Sequence, residues 1–247
     1  MRSANHEVLS FCADDAHGAP IMMKADELGI KPDDFIDQVK KSHEESLERF
    51  GISYTNYHST HSEENESLVS EIYMAAKSAG NIYKTDIEQC FDEEKQMFLA
   101  DRYVIGDCPK CGATNQYGDG CDVCGATYSA TELVNPKSAL SGTAPIEKIS
   151  EHVFFDLEKE KENLANFLNN SSIQSTIVSK LSEWLDDDLR GWDISRDSPY
   201  FGFQIPEENE KYFYVWVDAP IGYMASAKHW ADRNNTSLEI LWSKNSE

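Results

Sequence analysis

Phe11-Cys12-Ala13-Asp14-Asp15-Ala16-His17-Gly18-Ala19-Pro20 is the stretch that decides the fold. Val8 to Ala13 is a short, mostly apolar run with strand character, Asp14-Asp15 ends it, and Gly18 with Pro20 marks a turn before a helical pattern at Ile21 to Leu28. Strand, loop and helix in that order make one βα unit. In open α/β sheets, ligands sit beyond the carboxyl ends of strands, so Asp14, Asp15 and His17 fall where a small molecule would bind. An aspartate here also suits a helix cap, and the sequence alone leaves both roles open.

Working outward, Pro32-Asp33-Asp34 opens a second helix that runs towards Phe50 and Gly51, with acidic residues at the positive end of its dipole. Thr60-His61-Ser62-Glu63 has a capping-box pattern, followed by Leu68, Ile72 and Ala76 at four-residue spacing until Gly80. His43, His58 and His61 read as solvated or capping residues, because no carboxylate or cysteine pattern accompanies them in sequence. Short runs at 97–99 and 103–105 lead into a Cys-rich loop, Glu151 to Leu157 reads as a strand, and a helical stretch follows from about Leu157 through Trp184 to Leu189. Tyr212-Phe213-Tyr214-Val215-Trp216-Val217 is strongly β-prone and ends at Asp218-Ala219-Pro220 before a helix at Gly222 to Trp230, so strand, Asp, turn and helix recur.

The 247 residues carry 22 basic and 44 acidic side chains, a formal net charge of −22, which excludes a general nucleic-acid coat. With 40% hydrophobic and 27% charged residues, the composition is that of a folded chain. No stretch approaches the roughly 18 apolar residues that span a bilayer, and the opening residues lack a signal-peptide core, so no membrane partner and a cytoplasmic location are expected.

Four of the six cysteines, Cys108, Cys111, Cys121 and Cys124, form C-x2-C-x9-C-x2-C. Without a secretory signal, that spacing favours metal ligation over disulfides. Each pair is followed by a glycine, Gly112 or Gly125, that can take the positive φ needed to turn backbone N–H groups towards sulfur. Four thiolates make a closed tetrahedral site with no open position for water, so one structural Zn2+ is expected, with iron the less favoured occupant of the same ligands. Cys12 and Cys90 lie apart and read as buried apolar residues. A second constellation is aromatic: Trp192, Tyr200, Phe201, Trp216 and Tyr223, with Arg196 set among acidic residues. These would suit a zwitterionic amino acid with a hydrophobic side chain, or simply form core, and periodicity does not separate the two.

Five segments together carry a resemblance. They are residues 11–18, residues 57–65, the double knuckle continuing through Gly125-Ala126-Thr127-Tyr128-Ser129, Trp192-Asp193-Ile194-Ser195-Arg196-Asp197, and residues 211–223. In this order they resemble the methionyl-tRNA synthetases over nearly the whole chain. The resemblance implies an α/β fold: a partial Rossmann-type class I synthetase catalytic domain with an inserted connective-peptide domain carrying a zinc knuckle. It divides the chain into residues 1–80, the first part of the Rossmann domain; residues 81–212, the insertion, with the knuckle at about 104–132; and residues 213–247, the start of the second Rossmann half.

The implied activity is methionine–tRNA ligase, with methionine, ATP with Mg2+, and initiator and elongator methionine tRNA as substrates. Asp15 would receive the methionine ammonium and Arg196 would organise that polar end. Val215, Trp216, Ala219, Pro220 and Tyr223 would line the side-chain pocket, with Trp192 nearby. A buried ammonium needs a carboxylate, and a soft thioether suits aromatic walls. The family's H-I-G-H and K-M-S-K-S signatures, which stabilise the ATP phosphates, do not occur within the 247 residues, so no catalytic residue is assigned. The expectation is an internal fragment, inactive alone, whose missing first strand leaves a sheet edge open to self-association. Two other readings stay open: a non-catalytic zinc-binding interaction module on a synthetase scaffold, and one half of a split enzyme.

Overall fold

The computed structural model describes residues 8–170, 173–186 and 189–242. Strand β1 (Phe11–Asp14) is followed by helices α1 (Ala19–Leu28) and α2 (Pro32–Arg49), strand β2 (Asn56–Ser59) and helix α3 (Glu63–Ser78). β1 and β2 pair in parallel, Phe11 opposite Asn56 and Asp14 opposite Ser59. Parallel pairing demands a crossover, which α1 and α2 provide. α1 ends at Gly29 with φ +66°, where Ile30 N–H reaches back to the Ala25 carbonyl. α2 has Pro32 at its start, Asp33 and Asp34 in its first turn and Arg49 in its last, each matched to the helix dipole.

The middle of the chain is antiparallel. Strand β3 (Ile82–Asp92) leads to β4 (Met97–Phe98), β5 (Val104–Asp107), β6 (Gln116–Tyr117), β7 (Val134–Ser138) and β8 (Ile146–Phe155). Helices α4 (Lys161–Asn170) and α5 (Ser175–Asp186) follow, then strands β9 (Trp192–Asp193), β10 (Ser195–Asp197) and β11 (Lys211–Phe213). β3 and β8 pair along their length, Ile82 opposite Phe155 and Phe91 opposite Ile146, within a sheet ordered β4-β3-β8-β9. A smaller sheet, β6-β5-β7, carries the cysteine loops. The chain then returns through α6 (Val215–Asp218), α7 (Gly222–Arg233) and α8 (Leu238–Leu241).

One buried cluster joins these parts: Leu68, Val69 and Tyr73 of α3, Val153 of β8, Ile194, Phe203, Ile205, Phe213, and Ile221 and Ala225 at the start of α7. α7 lies close against the parallel pair because Gly222 has no side chain. A Cβ there would stand 2.8 Å from Thr60 Cγ2 and 3.4 Å from Ala13 Cβ. A second cluster packs Ala19 of α1 against Cys90, Leu99, Tyr103, Val104, Ala130 and Leu133, so both ends of the chain share core with the insertion.

Several sequence expectations are corrected. β1 begins at Phe11 rather than Val8. The α3 cap is Ser62, whose Oγ accepts from Asn65 N–H, while the Thr60 hydroxyl accepts from Ala16 N–H at 2.8 Å. The buried face of α3 is Asn65, Leu68, Val69 and Tyr73, and Ile72 is exposed. β3 escaped notice because it is solvated over most of its length and so has no sustained apolar alternation; pairing with β8 makes the strand. The long helix expected from Leu157 to Leu189 is two helices. The β-prone run ends at Phe213 and turns helical at Val215, and its strand pairs antiparallel with β10, so it does not repeat the β1 arrangement. Phe213 and Tyr214 donate their N–H groups to the Phe203 and Ile194 carbonyls, a tertiary demand that overrides the propensity of Val215, Trp216 and Val217.

A buried polar node fixes the insertion. His152 on β8 is fully buried, with Nδ1 2.8 Å from Asp193 Oδ2 and Nε2 2.9 Å from Asp197 Oδ2. Ser150 Oγ donates to Asp197, and Lys211 pairs with it. Burial disfavours the imidazolium, but the hydrogen bonds and charges of Asp193 and Asp197 outweigh it and raise the His152 pKa above its ordinary value. This stabilisation is full below the unfolded value of about 6.5 and fades as pH rises through the higher folded value. His152→Gln, which keeps hydrogen bonding but not the charge, is expected to cost about 3 kcal/mol in urea unfolding at pH 6. The deficit should narrow at higher pH; a deficit independent of pH would show that the charge is not what holds the node.

Candidate functional site

The carboxyl end of β1 lies at the centre of the candidate site. Thr60 N–H donates to the Asp14 carbonyl at 2.9 Å, and the Thr60 hydroxyl holds Ala16 N–H, so the β1 and β2 ends are tied together. Gly18, at φ +102°, turns the chain so that its N–H meets the Phe201 carbonyl at 2.9 Å, which brings the 198–203 loop across the strand ends.

Two residues 201 positions apart meet beneath this loop. His17 Nδ1 lies 2.5 Å from Asp218 Oδ2, and neither side chain has solvent exposure. His17 Nε2 lies 2.9 Å from His61 Nδ1, and His61 Nε2 lies 3.2 Å from Asp33 Oδ1, so a chain of polar contacts runs from buried Asp218 to the surface. Phe201 and Phe203 pack on the two histidine rings. Burial raises the Asp218 pKa, with His17 acting in the opposite sense, and lowers that of His61. Asp218 Oδ1 has no hydrogen-bond partner among the described residues.

Asp15 keeps exposed surface, so its desolvation is partial, yet its pKa is pushed up to about 6. Desolvation is the main cause and the Asp218 carboxylate adds to it, while His17 opposes. A carboxyl group raised by burial and by a neighbouring carboxylate is stabilised in its charged form by a cation placed against it.

Arg196, on β10, stands between Tyr214 and the acidic residues Asp101 and Asp193. Its guanidinium lies 3.9 Å from the centre of the Tyr214 ring, Nη1 donates to the Ser195 carbonyl at 2.7 Å, and Asp193 and Asp101 lie at 3.5 and 3.8 Å. A cavity of about 200 Å³ opens here, lined in part by Pro20, Asp101, Arg196, Tyr200, Val215 and Trp216. Tyr200 is buried, and its hydroxyl accepts from Val215 N–H at 3.2 Å.

Of the residues the sequence singled out, the structure therefore brings Arg196, Val215 and Trp216 to one cavity. Asp15, at the strand end, is within electrostatic reach of Asp218. Ala219, Pro220 and Tyr223 continue the same segment, with Pro220 and Tyr223 exposed, as is Trp216. Trp192 stands apart, pairing with Phe155 across β8 and β9 and packing on the main core. Sequence reasoning gave Asp218 no role at the site, read Asp33 only as a helix-dipole residue and took His61 for a solvated or capping residue; Asp33 lies 28 positions from His61. Likewise His43 meets Asp14 at 2.6 Å and His58 meets Glu64 at 3.1 Å, so all three histidines do have carboxylate partners.

The four knuckle cysteines converge. Cys108 Sγ lies 3.9 Å from Cys124 Sγ and Cys111 Sγ lies 3.7 Å from Cys121 Sγ, with all four sulfurs within 4.8 Å of one another. A tetrahedron with metal–sulfur bonds of about 2.3 Å has edges of about 3.8 Å, so this donor set fits a metal ion. Gly112 and Gly125 adopt φ +73° and +71°, and Lys110, Cys111 and Cys124 N–H groups point at sulfur from 3.3 to 3.5 Å. Cys90 is buried, its thiol pushed up to about 11, mainly by desolvation.

The family model described as tRNA synthetases class I (M) matches residues 1–247. The chain belongs to this family. Among solved structures, the fold is similar to Mycobacterium tuberculosis methionyl-tRNA synthetase bound by methionyl-adenylate, with a TM-score of 0.68 and 18% identity over 98% of this chain. A second structure of that enzyme in complex with methionyl-adenylate gives 0.66 at 18% identity over 98% of this chain. The apo form gives 0.54 at 18% identity over 85% of this chain. The chain spans 43% of the first two relatives and 38% of the third. The α/β architecture is thus that of a class I synthetase catalytic core, with the four-cysteine cluster in the segment inserted between the two flanking parts.

Two outcomes are expected. A carboxyl group with a raised folded pKa costs nothing below its unfolded value of about 4, and its penalty on the fold grows as pH rises to about 6 and is complete above that. Asp15→Asn should therefore raise Tm at pH 7.5, by less than about 1 kcal/mol after solvent screening, or roughly 2–4 °C. The gain should vanish towards pH 4; a gain constant with pH would refute the strained carboxylate. Separately, stripping metal with a chelator should lower Tm and open residues 104–132 to hydrogen exchange; an unchanged exchange pattern would rule out a structural ion.

Proposed function

We propose that this synthetase-family chain forms the amino-acid-binding part of a methionine–tRNA ligase, with a structural Zn2+ held by Cys108, Cys111, Cys121 and Cys124. The observation that carries the reading is the raised pKa of Asp15 at the end of β1, caused by desolvation and by the charge of Asp218, which the His17 contact fixes within the Val215–Tyr223 segment. An ammonium ion placed against Asp15 would relieve its repulsion from Asp218, so the site has a standing electrostatic preference for a cation. Arg196, fixed over Tyr214, supplies the opposite sign for a carboxylate. The exposed aromatic side chains of Trp216 and Tyr223, with Val215, Ala219 and Pro220, provide the apolar surface that a thioether needs. Such a surface alone separates side chains differing by one methylene by only about 1–3 kcal/mol. Trp192 would act from behind this surface, through the core.

In the proposed reaction, the methionine carboxylate attacks the α-phosphorus of ATP, supplied with Mg2+, and pyrophosphate leaves. The methionyl group then passes from methionyl-adenylate to the 3′-terminal ribose hydroxyl of tRNA, and AMP leaves. The residues of this chain hold the amino acid so that its carboxylate is free to attack, with Asp15 on the ammonium. Stabilising the ATP phosphates needs cationic or N–H donors of the H-I-G-H and K-M-S-K-S type, which the 247 residues do not contain. We place the protein in the cytoplasm; no described helix is long and apolar enough to cross a membrane. The β1–β2 pair has no third strand among the described residues, which leaves an edge for a further strand of this or another chain.

The test is calorimetry with methionine on the 247-residue chain, beside methionine-dependent ATP–pyrophosphate exchange. Methionine binding that weakens at least tenfold in Asp15→Asn, with exchange at background, is the expected result. Absence of methionine binding would overturn the pocket, and exchange above background would overturn the requirement for the two signatures.

A further inference from the structure

A second cluster of metal-binding character is built from residues other than the knuckle cysteines and the Asp15–Asp218 carboxylates. His58 comes from β2, Glu64 from the first turn of α3 and His229 from the last turns of α7. One ligand atom from each lies within 4.8 Å of the other two. The two oxygens of the Glu64 carboxylate divide the work: Oε2 lies 3.1 Å from His58 Nε2 and Oε1 lies 3.0 Å from His229 Nδ1. The imidazole rings lie side by side, centroids 4.3 Å apart at 42°. With side-chain exposures of 13%, 24% and 29%, the three groups are held by packing and still leave one face open.

We propose that His58, Glu64 and His229 form a second divalent-metal site of the zinc class, with two imidazole ligands, one carboxylate and an open position for water. Two imidazoles and a carboxylate suit zinc and its cobalt analogue, whereas calcium and magnesium want oxygen donors only. The spacing also fits: tetrahedral ligand atoms about 2.0–2.2 Å from an ion lie roughly 3.4 Å apart, close to the two N–O separations present. In the metal-free state each ring donates an N–H to Glu64. Ligation gives that nitrogen's lone pair to the ion, so in each ring the proton that nitrogen shares with Glu64 is displaced to the other nitrogen or to solvent. At His229 the other nitrogen, Nε2, lies 3.2 Å from Arg233 Nη1, so the guanidinium must move aside; Arg233 is exposed and on the final turn of α7, which makes that movement cheap. The ion would join β2, α3 and α7, the elements that meet around Gly222.

The experiment is equilibrium dialysis of the untagged 247-residue chain against Co2+, with absorption spectra. Two equivalents are expected, one with thiolate-to-cobalt charge-transfer absorption from the knuckle and one with ligand-field bands only. Glu64→Gln and His229→Gln should each weaken the second equivalent at least tenfold while leaving the thiolate absorption intact, which also shows that the variant is folded. Binding of a single equivalent with thiolate absorption, or a second equivalent that persists in whichever of the two variants keeps that absorption, would overturn the proposal.

Discussion

The contact between His17 and Asp218 is the constraint on which the rest of the site depends. It joins the loop after β1 to the short helix α6, 201 residues later, with both side chains out of water. A polar pair in that position is costly unless its hydrogen bonds are made, so the surrounding elements are fixed to within hydrogen-bond tolerance. Asn65, also buried, adds its amide between the Thr60 and Asp218 carbonyls, which fastens α3 to the same point. Gly222 then allows α7 to approach Thr60 more closely than any side chain would permit.

From this point the organisation spreads outward in two directions. Towards solvent, His61 and Asp33 continue the polar chain, and Asp15 takes the electrostatic consequence of lying near Asp218. Towards the insertion, the 198–203 loop crosses the strand ends and leads to Arg196, which lies between Tyr214 and the acidic residues Asp101 and Asp193. His152 secures the base of that arm through Asp193 and Asp197. The insertion is therefore a structural wall of the site as well as the carrier of the cysteine cluster.

How much of this was legible in the sequence depended on the range of the interaction. The knuckle was readable because two short spacings and two following glycines fix its geometry locally. The βα unit was readable for the same reason, since Gly18 and Pro20 punctuate it within a few residues. The recurrence of strand, Asp, turn and helix at 212–230 misled, because Phe213 and Tyr214 answer to the carbonyls of Phe203 and Ile194 and not to their own propensities. The histidines misled in the same way. His61 and His43 have carboxylate partners on elements distant in sequence, and His58 gains a second neighbour, His229, from α7.

By itself, then, the sequence determined the parts: a strand-end acidic pair, a four-thiolate knuckle, an aromatic segment with a nearby arginine, and a strongly acidic balance. Each follows from residue type and short spacing, which act through local backbone geometry. Tertiary structure alone decided which of those residues face one another. It brought the charge of Asp218 to bear on Asp15, packed Trp192 against the core and left Trp216 in solvent, and joined His58, Glu64 and His229 from three elements. The physical reason is that desolvation and side-chain pairing depend on distances in space, which contacts between residues far apart in the chain impose and no local pattern encodes.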